Sequence, residues 1–212
     1  MNLFNNIANN DEPTSMSALL RKKRFEAFIR ILNVSKADKI IDIGGYERIW
    51  EGTEFEENVT LLNLKFPEKR NPKFKYIECD ACNIKNVADK SFDVAFSNSV
   101  IEHVGNFQRQ KDFSKEVLRI SKKYWIQTPY KYFPIEPHLL FPFFDLLPIK
   151  LKKIVALNWK YSHLYRSKAD IPDELSRLRL LTKREMKILF PGSSLYYEKF
   201  LGMTKSITAY KL

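Results

Sequence analysis

An apolar run near residue 40 is interrupted by an acidic residue and ends in two glycines. This arrangement is typical of ligand-binding turns. Residues 39–45 read Lys-Ile-Ile-Asp-Ile-Gly-Gly, so Asp42 precedes a turn at Gly44 and Gly45. Such a run predicts a buried parallel strand that stops at a tight turn. Because glycine has no Cβ, backbone and ligand can approach each other closely there. Nucleotide-like ligands bind at the carboxyl edge of open α/β sheets, so this turn is the first candidate site.

Polar side chains also follow three later apolar runs. Asn63, Asp80, Ser97 and Asn98 each lie at or just beyond the end of such a run. The carboxyl ends of parallel strands meet at the same edge of a sheet, so these residues are expected near the glycine turn. Hydroxyl, amide and carboxylate oxygens there can accept hydrogen bonds from a ligand's hydroxyl and amino groups.

Two histidines and a glutamate are the candidates for proton transfer. Glu136 and His138 lie in a segment rich in proline and aromatic residues, and His103 follows Glu102 just after the run that ends at Asn98. A neutral imidazole can accept a proton from a hydroxyl group near pH 7. The alternative for Glu136 and His138 is that they only hold their segment in place. For His103 the alternative is a packing or helix-capping role.

The spacing of apolar residues predicts the elements that position these side chains. Helical spacing marks residues 17–33, 106–120 and 180–190, the last with a capping box at Thr182 and Glu185. Strands are predicted at residues 39–43, 59–64, 74–78, 92–97, 124–128, 194–200 and 204–210. Strands alternating with helices predict a mostly parallel sheet covered by helices on both faces. The last two strands predict a C-terminal antiparallel hairpin.

A chain of 212 residues fits one domain with a sizeable core. We predict a single domain over residues 1–212, with an N-terminal helix over 15–33. Residues 130–180 are dense in aromatic residues and prolines at their start and predict a lid-like insertion over the carboxyl edge of the sheet. The short interval between Gly45 and Val59 predicts an abbreviated first crossover helix.

The net charge of +11 is concentrated in the last third of the chain. Residues 146–212 hold 14 Lys/Arg and 5 Asp/Glu, which is +9 of the total. Such a surface favours anionic partners, namely nucleic acid, anionic lipid or an acidic substrate. The alternative is a basic solvated face without a specific partner. Apolar and aromatic residues at 139–148 precede a lysine cluster, a pattern shared by membrane-interface segments and by packed lids.

Several classes of protein are excluded or disfavoured. The first ten residues lack the basic and apolar regions of a signal peptide, and no apolar run reaches the length needed to span a bilayer. Cys79 and Cys82 are the only cysteines, which argues against a secreted disulfide scaffold and provides no second pair for zinc. We therefore expect a cytoplasmic protein, peripheral at the membrane if the membrane interpretation holds, and no metal site.

These motifs together resemble a class I S-adenosylmethionine-dependent methyltransferase. The resemblance is carried by the turn at residues 41–45, by Asp80, and by residues 92–104 and 127–138. Those last two stretches read FDVAFSNSVIEHV and QTPYKYFPIEPH. They are most similar to the small bacterial, methyltransferase type 11-like branch, and the resemblance covers roughly residues 17–212. It implies a Rossmann-like, doubly wound seven-stranded sheet whose last two strands form the antiparallel pair, and it implies S-adenosyl-L-methionine as cofactor.

The resemblance also implies roles for the cofactor-binding residues. The backbone at Gly44 and Gly45 would pass the methionine part of S-adenosylmethionine, and Asp42 would orient the turn or reach the ammonium group. Asn63 would accept from the ribose hydroxyls. The family usually has more glycines in the turn and an acidic residue at the position of Asn63, so this chain departs from the pattern twice.

The remaining implied contacts lie further along the sheet edge. Asp80 would accept a hydrogen bond from the adenine amino group. Ser97 and Asn98 would lie beside the sulfonium.

Three functions follow as hypotheses. The first is methyl transfer to a small molecule or saccharide, with O-methylation of a sugar hydroxyl favoured because the branch resembles enzymes of surface-polysaccharide biosynthesis. The second is a nucleic-acid methyltransferase that uses the basic last third. The third is a non-catalytic binding protein whose cofactor pocket has degenerated.

Overall fold

The computed structural model describes residues 16–135, 141–144, 147–158 and 177–212. The chain divides into two compact units, Met1–Ser35 and Lys36–Leu212. The first unit contains helix α1 (Met16–Leu32). This helix ends where Asn33 adopts a left-handed conformation with φ of 49° and the Val34 N–H donates to the Ile29 carbonyl at 3.0 Å. That geometry satisfies a carbonyl which the last helical turn would otherwise leave without a donor.

The second unit is built on one sheet. Its elements in chain order are β1 (Ile40–Ile43), β2 (Val59–Asn63), β3 (Lys75–Glu78), β4 (Phe92–Asn98), α2 (Phe107–Ile120), β5 (Ser121–Pro129), α3 (Ile149–Asn158), α4 (Lys183–Leu189), β6 (Ser194–Phe200) and β7 (Met203–Lys211). Within the described residues, seven strands pair in the order β3-β2-β1-β4-β5-β7-β6.

The sheet is parallel except for its C-terminal hairpin. β1 pairs in parallel with β2 and β4, and β3 and β5 extend the parallel part on either side. β7 runs antiparallel to both β5 and β6. Leu201 and Gly202 connect β6 to β7 with φ values of 49° and 79°, the two left-handed residues that a tight hairpin turn requires. The predicted α/β fold with its antiparallel hairpin is confirmed.

Helices α2 and α4 pack on the same face of the sheet. Phe113 and Val117 of α2 and Met186 of α4 are fully buried in one apolar cluster with Ile41 and Ile43 of β1. The predicted capping box starts α4, with Thr182 Oγ1 accepting from the Glu185 N–H at 3.2 Å and Glu185 Oε2 accepting from the Thr182 N–H at 2.8 Å. These contacts hold α2 and α4 against the sheet.

The crossover between β1 and β2 contains only two single-turn 3₁₀ helices, Glu47–Ile49 and Glu56–Asn58. Trp50 follows the first of them and packs edge-on against Phe96 of β4, with ring centroids 5.5 Å apart. Both side chains are buried on the face of the sheet opposite Ile41 and Ile43. One large indole thus fills space that a longer crossover helix would otherwise cover. Among the described residues, none of the helices is long and apolar enough to cross a membrane.

Candidate active site

The turn after β1 requires glycine at both of its positions. Gly44 has a φ of 79° and donates its N–H to the Leu62 carbonyl at 2.6 Å, and a Cβ at Gly44 would overlap the side chain of Val100. A Cβ at Gly45 would overlap the carboxylate of Asp42. The chain therefore reverses direction tightly against β2 and against the loop that follows β4.

Asp42 lies beneath this turn, where burial controls its charge. The indole Nε1–H of Trp50 donates to Asp42 Oδ2 at 2.7 Å, and the two residues are 0% and 2% exposed. Burial raises the pKa of Asp42 from 3.8 to about 7, and the hydrogen bond from Trp50 partly offsets that rise. These contacts join Asp42 to the crossover after β1, and its predicted roles, orienting the turn or reaching the cofactor ammonium, stay predictions.

The ends of β2 and β3 are held side by side. The Cys79 N–H donates to the Asn63 carbonyl at 3.0 Å, and Asn63 Oδ1 accepts from the Leu64 N–H at 2.9 Å. The Asn63 side chain is half-buried at the end of β2, and its contact with the ribose hydroxyls stays a prediction. Asn63 and Asp80, which the sequence placed on successive strands, therefore lie at the same edge of the sheet.

Three aromatic rings connect the loops that follow β1 and β2 with strand β3. Tyr46 packs edge-on against Phe66, with centroids 6.1 Å apart, and Phe66 packs against Tyr76 at 4.9 Å. The Tyr76 hydroxyl donates to Glu47 Oε1 at 2.8 Å, which ties β3 to the loop after β1. Tyr46 is 44% exposed, so its ring forms part of the accessible surface next to the glycine turn.

Asp80 forms an ion pair with Arg109, the third residue of α2, in which one guanidinium nitrogen contacts both carboxylate oxygens. Arg109 Nη2 lies 2.8 Å from Asp80 Oδ1 and 2.7 Å from Oδ2, and the Cys82 N–H donates to Oδ1 at 2.9 Å. Burial alone would raise the pKa of Asp80, but these donors outweigh burial and hold the pKa below its usual value. A carboxylate has about four acceptor positions, so these three hydrogen bonds from two groups leave roughly one position for an adenine amino group.

The end of β4 is hydrogen-bonded through side chains to both neighbouring strands, β1 and β5. Ser97 Oγ donates to the Ile43 carbonyl at 2.9 Å in a fully buried position, which joins the end of β4 to the end of β1. Ser99, with a φ of 57°, donates its N–H to the Gln127 carbonyl at 3.1 Å and its hydroxyl to Gln127 Oε1 at 3.0 Å. Ser97 thus fixes the backbone of the site, and Asn98 is half-buried at the last position of β4.

The loop after β4 carries a buried carboxylate and an exposed imidazole. Glu102 is 0% exposed, and its Oε2 accepts from Thr128 Oγ1 of β5 at 3.0 Å. The side chain of the adjacent His103 is exposed. Glu136 and His138 lie outside the described residues, as does much of the predicted insertion over 130–180, so their predicted roles stay predictions.

Sequence patterns did not identify Trp50, Arg109 or Thr128 as partners of the site residues. Trp50 lies 8 positions from Asp42, and Arg109 lies 29 positions from Asp80. Neither separation belongs to a local motif. The available signal was that Asp80 and the helix predicted over 106–120 each follow a predicted parallel strand, so Asp80 and the start of that helix were both expected near the carboxyl edge of the sheet.

No metal site is found in the part of the chain that the structure describes. No group of three or more His, Cys, Asp or Glu side chains there could hold an ion, and Cys79 and Cys82 are free thiols. Burial is the main cause of the raised pKa of both thiols.

Comparisons with known proteins agree with this geometry. Residues 50–124, about a third of the chain, match a family model described as a methyltransferase domain. The match runs from Trp50 into β5. No curated protein matches the chain.

Solved structures with the same fold include S-adenosylmethionine-dependent methyltransferases. Phosphoethanolamine N-methyltransferase 2 of Haemonchus contortus in complex with S-adenosyl-L-methionine is 16% identical, with a TM-score of 0.55 over 84% of this chain and 38% of that chain. A SAM-dependent methyltransferase from Aquifex aeolicus is 11% identical, with a TM-score of 0.50 over 94% of this chain and 97% of that chain. At these identities the similarity shows the fold, and together with the family match it confirms the resemblance predicted from the sequence.

Proposed function

We propose that this chain, a protein with a methyltransferase domain and the class I methyltransferase fold, transfers a methyl group from S-adenosylmethionine to an oxygen of a small molecule or saccharide. The observation that supports it best is the alignment of the glycine turn, Asn63, Asp80 and Asn98 along the carboxyl ends of β1 to β4. That edge of an open α/β sheet is where such folds bind nucleoside ligands.

The described residues fit S-adenosylmethionine at this edge. The backbone of the turn at Gly44 and Gly45 lies at this edge, packed closely against Val100 and Asp42, and the Asn63 amide is half-buried beside it. Asp80 keeps about one acceptor position beside its ion pair and stays ionised because its pKa is lowered. Bound S-adenosylmethionine supplies a methyl group activated by a sulfonium, and the protein's contribution is to align donor and acceptor.

Proton removal from the acceptor is assigned, within this proposal, to the segment after β5. His138 is the general base and Glu136 its neighbour, with His103 as the alternative. All three follow strands whose carboxyl ends share one edge, which is the side from which an acceptor hydroxyl would approach. His138→Gln is expected to lower turnover while leaving the affinity for S-adenosylhomocysteine unchanged. An unchanged turnover would reject His138 as base.

The acceptor class rests on the family resemblance, which favours sugar hydroxyls, surface-polysaccharide biosynthesis and a cytoplasmic location. Incubation with radiolabelled S-adenosylmethionine and panels of nucleotide sugars, oligosaccharides and RNA tests this directly. Label incorporated into saccharides supports the proposal. Label incorporated only into RNA would instead support the nucleic-acid alternative, which the basic last third of the chain motivates.

The non-catalytic alternative is motivated by the departures of the first turn from the family pattern. Tyr46 and Arg48 stand where further glycines are usual, and Asn63 replaces an acidic residue. Absence of cofactor binding would favour this alternative. Saturable binding of S-adenosylhomocysteine favours the enzyme.

A further inference from the structure

Helix α3 (Ile149–Asn158) contains positively charged side chains and no negatively charged ones. Its sequence IKLKKIVALN contains three lysines and no acidic residue. It belongs to the C-terminal region that holds most of the net charge of the chain. Every charged side chain that the helix presents to a partner is therefore positive.

One face of α3 is occupied by its own chain. Ala156 and Phe144 are 0% and 1% exposed and form a small apolar cluster with Phe141, Leu147 and Val155. The ammonium group of Lys152 lies 5.6 Å from the centroid of the Phe144 ring. This packing fixes the rotation of the helix about its axis and so determines which side chains point away.

The opposite face exposes an apolar stripe. Leu151, Ile154 and Leu157 recur at intervals of three, which places them on adjoining positions of one side, and they are 47%, 58% and 40% exposed. Lys150 and Lys153 are also exposed on this side. Lysines beside exposed apolar side chains can extend their ammonium groups to the lipid headgroups while the apolar side chains enter the membrane interface.

We propose that α3 binds flat on the surface of an anionic lipid membrane. Leu151, Ile154 and Leu157 enter the boundary between headgroups and acyl chains, and Lys150 and Lys153 pair with lipid phosphates. A helix of ten residues is about 15 Å long, far less than a bilayer core of about 30 Å, so it lies in the plane of the interface.

The charges of α3 favour this partner over two others. A second copy of the chain would bring three lysines against three lysines without an acidic residue on either helix, and like charges repel. Nucleic acid would pair with the lysines through its phosphates but would leave the leucine and isoleucine stripe exposed to water. Of these three partners, an anionic membrane is the one that satisfies both the charged and the apolar side chains of α3.

Co-sedimentation of the full chain with lipid vesicles tests the proposal. We expect binding to phosphatidylglycerol-containing vesicles at low salt, weaker binding at high salt, and much weaker binding to pure phosphatidylcholine. Replacing Leu151, Ile154 and Leu157 by serine should weaken binding roughly tenfold or more. Ile188→Ser, which changes an isoleucine of α4 that is 52% exposed, is the matched control and should bind as the wild type does.

The lysines are tested separately. Lys150→Gln combined with Lys153→Gln should weaken binding to anionic vesicles roughly 30-fold and reduce its salt dependence, because each lysine near the surface contributes about 1 kcal/mol and about 1.4 kcal/mol is a tenfold change. Calorimetry with S-adenosylhomocysteine should be unchanged in all these variants, which separates this proposal from the proposed methyl transfer. Their circular dichroism spectra should match that of the wild type.

Several results would overturn the proposal. The first is no sedimentation with anionic vesicles at either salt concentration. The second is equal binding by the triple serine variant. The third is RNA binding, or concentration-dependent dimerisation that the serine variant abolishes, without any binding to vesicles.

Discussion

The indole N–H of Trp50 donates a 2.7 Å hydrogen bond to the carboxylate of Asp42, and both side chains are buried at the turn that closes β1. The bond joins the crossover after β1 to the strand that begins the candidate cofactor site. It places an ionisable group beneath the glycine turn, so the stability of the protein and the geometry of the site depend on the same carboxyl group.

This burial predicts an unusual dependence of stability on pH. The pKa of Asp42 is about 7 in the folded protein and close to 3.8 when unfolded, so the folded state binds more protons between these values. The Asp42 contribution to the free energy of unfolding therefore falls as pH rises through this window, by up to about 4 kcal/mol in total. Asp42→Asn should remove this contribution and be more stable than the wild type above pH 7, as measured by urea denaturation at a series of pH values.

Trp50→Phe provides the control for that experiment. It keeps the Asp42 carboxylate but removes its hydrogen-bond donor, so the pKa of Asp42 should rise further and the loss of stability should extend to higher pH. If the wild type and Asp42→Asn show the same pH dependence, Asp42 does not titrate in this way.

The close contacts at Gly44 predict a larger cost of substitution than its conformation alone. Gly44 and Gly52 have φ values of 79° and 73°, but only at Gly44 would a Cβ overlap a neighbour, the side chain of Val100. Gly52→Ala should cost on the order of 1 kcal/mol of stability from its left-handed conformation, and Gly44→Ala should cost 1–3 kcal/mol more, roughly the cost of overpacking. Equal losses in thermal denaturation would show that the turn has room for a side chain.

The hydroxyl of Ser97 is predicted to hold the site by joining β4 to β1. Ser97→Ala leaves the Ile43 carbonyl without this buried donor and should lower stability by about 1 kcal/mol or more. Ser91→Ala removes a bond of similar length, 2.8 Å to the Ala88 carbonyl, at an exposed position and should cost much less. If the two alanine variants unfold at the same denaturant concentration, the buried hydrogen bond contributes no more to stability than the exposed one.

Strand and helix positions were largely predictable because their signals are local. The runs at β2 and β6, the hairpin at Leu201 and Gly202, and the capping box at Thr182 and Glu185 depend on residues close together in the chain. The polar start of β5 was missed. Ser121 follows α2 directly and pairs with Phe92, so it is held in the sheet by a strand partner that its own side chain does not indicate.

The candidate site was predictable as a location but not as a set of contacts. Asp42, Asn63, Asp80 and Ser97 lie at the expected strand ends because parallel strands share one carboxyl edge. Their partners depend on how the crossovers fold back across that edge, which no local pattern specifies. Arg109, for example, reaches Asp80 only because α2 begins next to the end of β3.

Asp80 is predicted to bind the adenine group despite its ion pair with Arg109. Asp80→Ala should weaken the binding of S-adenosylhomocysteine roughly tenfold, the usual effect of losing a charge-assisted hydrogen bond, without unfolding the protein. Asp89→Ala is the matched control, because Asp89 also pairs with an arginine, Arg119, but is 75% exposed. If the two variants bind S-adenosylhomocysteine with equal affinity, Asp80 does not contact the cofactor.

Calorimetric titration of the wild-type chain with S-adenosylhomocysteine tests the central claim most directly, because it needs no knowledge of the acceptor. The arrangement of the glycine turn, Asn63 and Asp80 predicts saturable binding to one site per chain. Absence of any binding signal from correctly folded protein, in the calorimeter and in a parallel thermal-shift measurement, would contradict the assignment of this sheet edge as a cofactor site.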